Sequence, residues 1–185
     1  MVKHWQKLGS KPLSDYRIFK SRQDTRRSPR TNKVHEFYIL ESPDWMNVIP
    51  ITSDGNVVFV HQFRHGLEEV TMEIPGGLVD PGEDPLHTAS RELMEETGYE
   101  AEEILPIGIV TPNPAFLDNI CHTFLAFNVK KVAEPQFDGS EDIVVSEVPL
   151  TEVPRLIQSQ KITHALVVAA FYHYERYLEA RKDVS

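Results

Sequence analysis

Within "RELMEETGY", residues 91–99, four charged side chains crowd together: Arg91, Glu92, Glu95 and Glu96. On a helix, positions i, i+3 and i+4 share a face, so Glu92, Glu95 and Glu96 stand side by side while Leu93 turns toward a core. Like charges at this spacing repel one another in water. All three also fall in the C-terminal half of the expected helix, where the helix dipole disfavours anions. A solvated acidic face is the plainer reading, but this placement works against local stability and calls for a cation. Arg91 is one candidate. A hard divalent ion is the other, since Mg2+ takes one or two protein carboxylates together with substrate phosphates.

The elements around this run define its setting. Asp84 is a predicted N-cap, with Pro85 at the first helical position, where its missing N–H costs nothing. The helix should continue to about Thr97, with Gly98 as the left-handed residue beyond its end. Before it, "HEFYIL", "WMNVIPIT" and "NVVFVHQF" read as strands, the last two joined as a hairpin at residues 53–56, and "TMEIPGG" as a short strand stopped by Pro75 and two glycines. After it come strands at "ILPIGIVT", "HTFLAFNV" and "IVVSEV", a short helix near "LTEVPRLIQ", and a final helix that Thr163 would cap. The first 32 residues are basic and polar, and read as a solvated arm or hairpin loop. Strands, helix, strands, helices make a mixed-sheet α/β sandwich with helices on the sheet faces.

The chain has 185 residues, enough for one domain with a short extra segment and a real core. Its net charge of −9 argues against a nucleic-acid binder that works through a broad basic surface, but leaves room for a phosphorylated small molecule held through a cation. Cys121 is the single cysteine and lies in an apolar stretch, so it reads as a buried residue with no disulfide partner in the chain. There is no signal-peptide pattern and no apolar run long enough for a membrane span, so the expected location is cytoplasmic.

The spacing around the acid run is more specific. From Gly77 there are five residues to Glu83, seven more to Arg91-Glu92-Leu93, one to Glu95-Glu96, and one to Gly98. This resembles the Nudix hydrolase signature over its full length, with Tyr99 standing where that family usually has an aliphatic residue. The resemblance implies a Nudix fold, a mixed β-sheet sandwiched between helices, here with an N-terminal β-strand extension. It also implies Mg2+- or Mn2+-dependent hydrolysis of a nucleoside diphosphate linked to another group. Carried onto this chain, it makes Glu92 and Glu96 the principal metal ligands, Glu95 a secondary one, and Gly76 the source of a carbonyl ligand. Glu83 and Arg91 become the residues that support and orient them.

Flanking segments narrow the implied class. "VHQFRHG", "MEIPGG" and "GIVTPNPAFLDN" are similar to the ADP-ribose and nucleoside-diphosphate-sugar pyrophosphatase branch, over about residues 45 to 170, and Pro114, 15 residues past Tyr99, fits the mark associated with ADP-ribose. That branch takes a catalytic base from an acidic loop, which implies Glu141, with Asp142 and Asp138 as alternatives; Glu141 would also serve as a metal ligand. Candidate substrate contacts are Arg64 and Glu73, with an ion pair as the competing reading for Arg64, and Trp45, Phe116 and Asn119. His65 and His164 read as a surface residue and a helix-cap residue. Relatives of this branch commonly form homodimers that exchange N-terminal strands, which would bring Arg26, Arg27 or Arg30 to a partner's substrate. The implied division is an arm at 1–44 and a Nudix domain at 45–185. Rival expectations are a GDP-mannose-preferring hydrolase and a non-catalytic nucleotide sensor.

Overall fold

The computed structural model describes residues 1–137 and 142–182. The chain divides into two units, Met1–Asp44 with Thr111–Ile120, and Trp45–Val110 with Cys121 onward.

The first unit is built on a three-stranded antiparallel sheet, β1 (Gln6–Asp15), β2 (Lys20–Arg27) and β3 (Val34–Glu41), in sequence order. The basic stretch read as an arm or hairpin loop is thus a β-hairpin extended by a third strand. Every residue of β1 is exposed, so there is little hydrophobic alternation for a sequence pattern to register. Its anchor is polar. Asp24 is fully buried and accepts from Ser10 Oγ at 2.7 Å while pairing with Lys7 (2.9 Å) and Arg26 (2.8 Å). Arg22 reaches Glu41 at 2.6 Å and Asp118 at 2.7 Å, tying the 111–120 segment to the strands.

The second unit holds an eight-stranded mixed sheet, with β4 (Trp45–Thr52), β5 (Asn56–Arg64), β6 (Glu69–Glu73), β7 (Gly76–Leu78), β8 (Tyr99–Glu100), β9 (Glu103–Val110), β10 (Cys121–Lys131) and β11 (Ile143–Pro149). The order β11-β5-β4-β10-β8 forms its spine, with β6 on β5, β7 on β4 and β9 on β10. β4 and β10 run parallel at the centre and the other pairings are antiparallel. Alternate residues of one strand face opposite layers. Met46, Val48, Val58, Phe124 and Ala126 pack with Ala89 and Leu93 of α1 (Pro85–Thr97). Ile49, Ile51, Val57, Phe59 and Leu125 pack with Val167, Ala170 and Phe171 of α3 (Ala165–Lys182), and with Val153 of the short α2 (Val153–Gln158).

The ends of α1 follow local chemistry. Asp84 Oδ1 accepts from the Leu86 N–H at 2.9 Å, and Gly98 adopts φ 74°, its N–H bonded to Met94 O. α3 begins later than a Thr163 cap would place it: the His164 carbonyl accepts the first helical bonds, from Val167 and Val168. Among the described residues no helix is long and apolar enough to cross a membrane.

Candidate functional site

Two glycines allow the acid face of α1 to close on β7. The Gly76 N–H donates to Glu96 Oε2 at 3.0 Å, and Glu96 is only 4% exposed. A side chain at Gly77 would run into the Glu92 carboxylate, meeting its Cδ at 2.6 Å. One at Gly76 would lie 2.6 Å from the Met46 carbonyl, so neither position admits a Cβ without displacement. The tight turn therefore brings main chain up against two carboxylates that helical spacing has set side by side.

Arg91 supplies the positive charge already present. Its Nη1 lies 3.0 Å from Glu92 Oε1 and 2.8 Å from Glu95 Oε2, and its Nε lies 3.5 Å from Glu83. Desolvation alone would lower the guanidinium's proton affinity, but Glu83, Glu92 and Glu95 outweigh it and the net shift is upward. Glu83, hydrogen-bonded by Thr88, Arg91 and His87, is held down to about 2. Arg91 thus orders Glu83, Glu92 and Glu95 around one guanidinium, leaving Glu96 on the Gly76 N–H.

A second cluster lies on β5, β6 and the start of α3. Arg64 Nε and Nη2 each donate to a separate oxygen of Glu73 at 2.7 Å, and Thr71 Oγ1 donates to Glu73 Oε1 at 2.6 Å. Burial pushes Glu73 upward, but the Arg64 and Thr71 hydrogen bonds outweigh it, so the carboxyl sits below its ordinary value. The Glu73 bonds raise Arg64, which also feels the charge of Glu96. His164 Nε2 stands 3.9 Å from Glu73, and burial lowers its proton affinity. The structure therefore gives Arg64 and Glu73 to each other, and joins His164 to them rather than leaving it a bare cap residue. Sequence spacing held no signal for that link, since residues 73 and 164 are far apart in the chain.

The remaining sequence candidates are placed as follows. Trp45 opens β4, half-buried, opposite Leu78 and Cys121. In the first unit Phe116 is 42% exposed and Arg27 ends β2 exposed. Asn119 is buried, with Nδ2 donating to the Pro43 carbonyl at 3.1 Å. Glu141 and Asp138 lie outside the described residues, and Asp142 is exposed just before β11.

An all-oxygen donor set of Glu92, Glu95, Glu96 and the Gly76 main chain suits a hard divalent ion. Among the described residues no three His, Cys, Asp or Glu side chains converge closely enough to enclose an ion by themselves. An ion held by these donors would take the rest of its shell from water and substrate oxygens.

The NUDIX domain family model matches residues 43–171. An ADP-ribose pyrophosphatase of Bacillus subtilis (strain 168) is 35% identical over 144 residues, covering 77% of this chain and 78% of that protein. A methanol dehydrogenase activator of Bacillus methanolicus is 36% identical over 138 residues, covering 74% and 75%. A crystal structure of an ADP compounds hydrolase superposes with a TM-score of 0.86 at 18% identity, covering 98% of this chain and 97% of that one, a likeness of fold. A family match over most of the chain, joined to that identity over three quarters of it, makes this protein a member of the Nudix hydrolase family.

Proposed function

We propose that the protein hydrolyses the diphosphate linkage of ADP-ribose or of a nucleoside diphosphate sugar, releasing a nucleoside monophosphate and a sugar phosphate. The observation that carries this reading is the acid turn itself: Glu92 against Gly77 and Glu96 on the Gly76 N–H. The similarity to a protein named ADP-ribose pyrophosphatase supports the substrate class.

In this reading Glu92 and Glu96 hold Mg2+, or Mn2+ in its place, with Glu95 and the Gly76 carbonyl as further oxygen donors. Bound there, the ion supplies charge neutralisation of the diphosphate and activation of water. Arg91 keeps Glu92 and Glu95 from splaying apart before the ion arrives. Glu141 accepts the proton of the attacking water, with Asp142 and Asp138 as the alternative bases. The Arg64 fork stays on Glu73, so Arg64 contributes its field and its outer edge to the phosphates. Trp45 in the second unit and, separately, Phe116 in the first are each proposed as an aromatic contact for base or sugar. Asn119, bonded to Pro43, acts by shaping its loop. We further propose an N-terminal unit that pairs two copies into a homodimer, with Arg27 directed to the partner's substrate, and a cytoplasmic place of action.

Chromatographic product analysis with Mg2+ tests the reaction. ADP-ribose should yield AMP and ribose 5-phosphate, and GDP-mannose should yield GMP and mannose 1-phosphate. The ratio of their kcat/KM values ranks the substrates. Turnover of nucleoside triphosphates alone would overturn the substrate class, and nucleotide binding without any turnover would favour a sensor. A monomer by light scattering with full activity would remove the dimer.

A further inference from the structure

Strands and loop outside α1 hold its last turn in place. The Gln136 N–H donates to the carbonyl of Glu95 itself at 2.8 Å, and the N–H groups of Val132 and Ala133 donate to Gly98 O at 2.9 and 3.1 Å. Thr97 Oγ1 donates back to Leu93 O and accepts from the Tyr99 N–H at 3.1 Å. The Tyr99 ring is 7% exposed in the α1-side core, and its Oη donates to Glu147 Oε1 at 2.6 Å. Glu147 lies opposite Val58 in the β11–β5 register, and its other oxygen accepts from Asn56 Nδ2 at 3.1 Å. A series of hydrogen-bonded residues thus runs from the last turn of α1 through Tyr99 to β11 and β5. Burial and the Glu147 carboxylate push the phenol up to about 12, so Tyr99 remains the donor through the neutral range.

This brace answers a local problem. Adjacent carboxylates at a helix C-terminus repel each other and the dipole, and a helix end frays most readily where such forces act. An aliphatic residue at position 99 would fill the same core space but reach no acceptor on β11.

We propose that the Tyr99–Glu147 hydrogen bond is a positioning contact for Glu95 and Glu96, locking the end of α1 to β11 in the geometry that takes up a divalent ion. The proposal rests on the metal reading above. Tyr99→Phe removes one oxygen and leaves the ring. Mn2+ uptake, read from the electron paramagnetic resonance signal of the free ion, should weaken roughly tenfold in this variant, as for other residues that orient metal ligands. In steady state kcat at fixed Mn2+ should fall while KM for the nucleotide changes little. Glu147→Ala should reproduce the defect, and Glu147→Gln, which keeps an oxygen acceptor for the phenol, should recover most of it. All variants are measured well below their own Tm, so a folding loss is separated from an uptake loss. Parent-like Mn2+ uptake by Tyr99→Phe would overturn the brace while leaving the metal site standing. A parent protein that takes up no Mn2+ would overturn both.

Discussion

The guanidinium of Arg64 meets the carboxylate of Glu73 through two 2.7 Å bonds, and Glu73 is almost wholly buried. In such a pair, removing the cation leaves a buried, uncompensated anion, which costs more than the pair contributes when intact. Arg64 is 43% exposed, so water partly relieves that cost. Arg64→Ala should therefore lower unfolding free energy by about 2–3 kcal/mol, below the range for a fully buried pair. Arg64→Lys should recover only part, because an ammonium cannot reproduce the fork. Urea denaturation midpoints check both values.

Glu96 accepts from Gly76 and is more deeply buried than Glu92 or Glu95. Glu96→Gln keeps its shape and removes its charge. Turnover should fall on the order of a hundredfold or more, comparable to losing a group that stabilises transition-state charge. Nucleotide binding should persist in calorimetry, and unchanged turnover would remove Glu96 from the metal site.

Gly77→Ala places a methyl group against the Glu92 carboxylate. That carboxylate must shift, and a displacement near 1 Å in a reacting constellation can lower kcat on the order of a hundredfold. Tm should change little, because the clash is with a side chain. Gly76→Ala meets the Met46 main chain instead, so it should lower Tm as well as turnover. Comparing the two by circular dichroism melts and kinetics separates site geometry from fold.

The protein should lose stability in acid. Glu83 is held down to about 2, and Glu73 and Asp24 also sit below their ordinary values. The unfolded chain then binds protons before the folded one does, so these groups contribute stability that is complete above the ordinary glutamate value of 4.5 and fades as pH falls toward about 2. His164, lowered by burial, adds a loss that begins below its ordinary 6.5. Urea midpoints at pH 7, 5 and 3 should decline in that order. Glu73→Gln should flatten the acid limb.

Local chemistry was readable from the chain and distant chemistry was not. Asp84, Pro85 and Gly98 mark the limits of α1 because caps act over a turn, and the i, i+3, i+4 rule put the carboxylates on one face. Sheet order was beyond such rules: Arg64 finds Glu73 only because β5 and β6 pair antiparallel, and Tyr99 finds Glu147 only because β11 packs along β5. The resemblance implied an N-terminal β-strand extension and "HEFYIL" read as its third strand, but the first two strands carried no apolar pattern, for another reason. Lys7, Ser10 and Arg26 surround Asp24 in a sheet whose first strand is wholly exposed, so an ion cluster stands where an apolar stripe would have announced the pattern.

The parallel join of β4 with β10 pairs Trp45 with Cys121, so everything between them must be threaded before the middle of the sheet can close. Contacts of such long sequence separation slow folding, because chain closure is paid in entropy before the contact rewards it. The Nudix signature lies wholly inside that crossover. A growing polypeptide that has not yet reached Cys121 therefore holds every acid of the signature and none of the central partner strand that gives the sheet its middle. Catalytic competence should appear late and all at once during synthesis, with no partly active precursor.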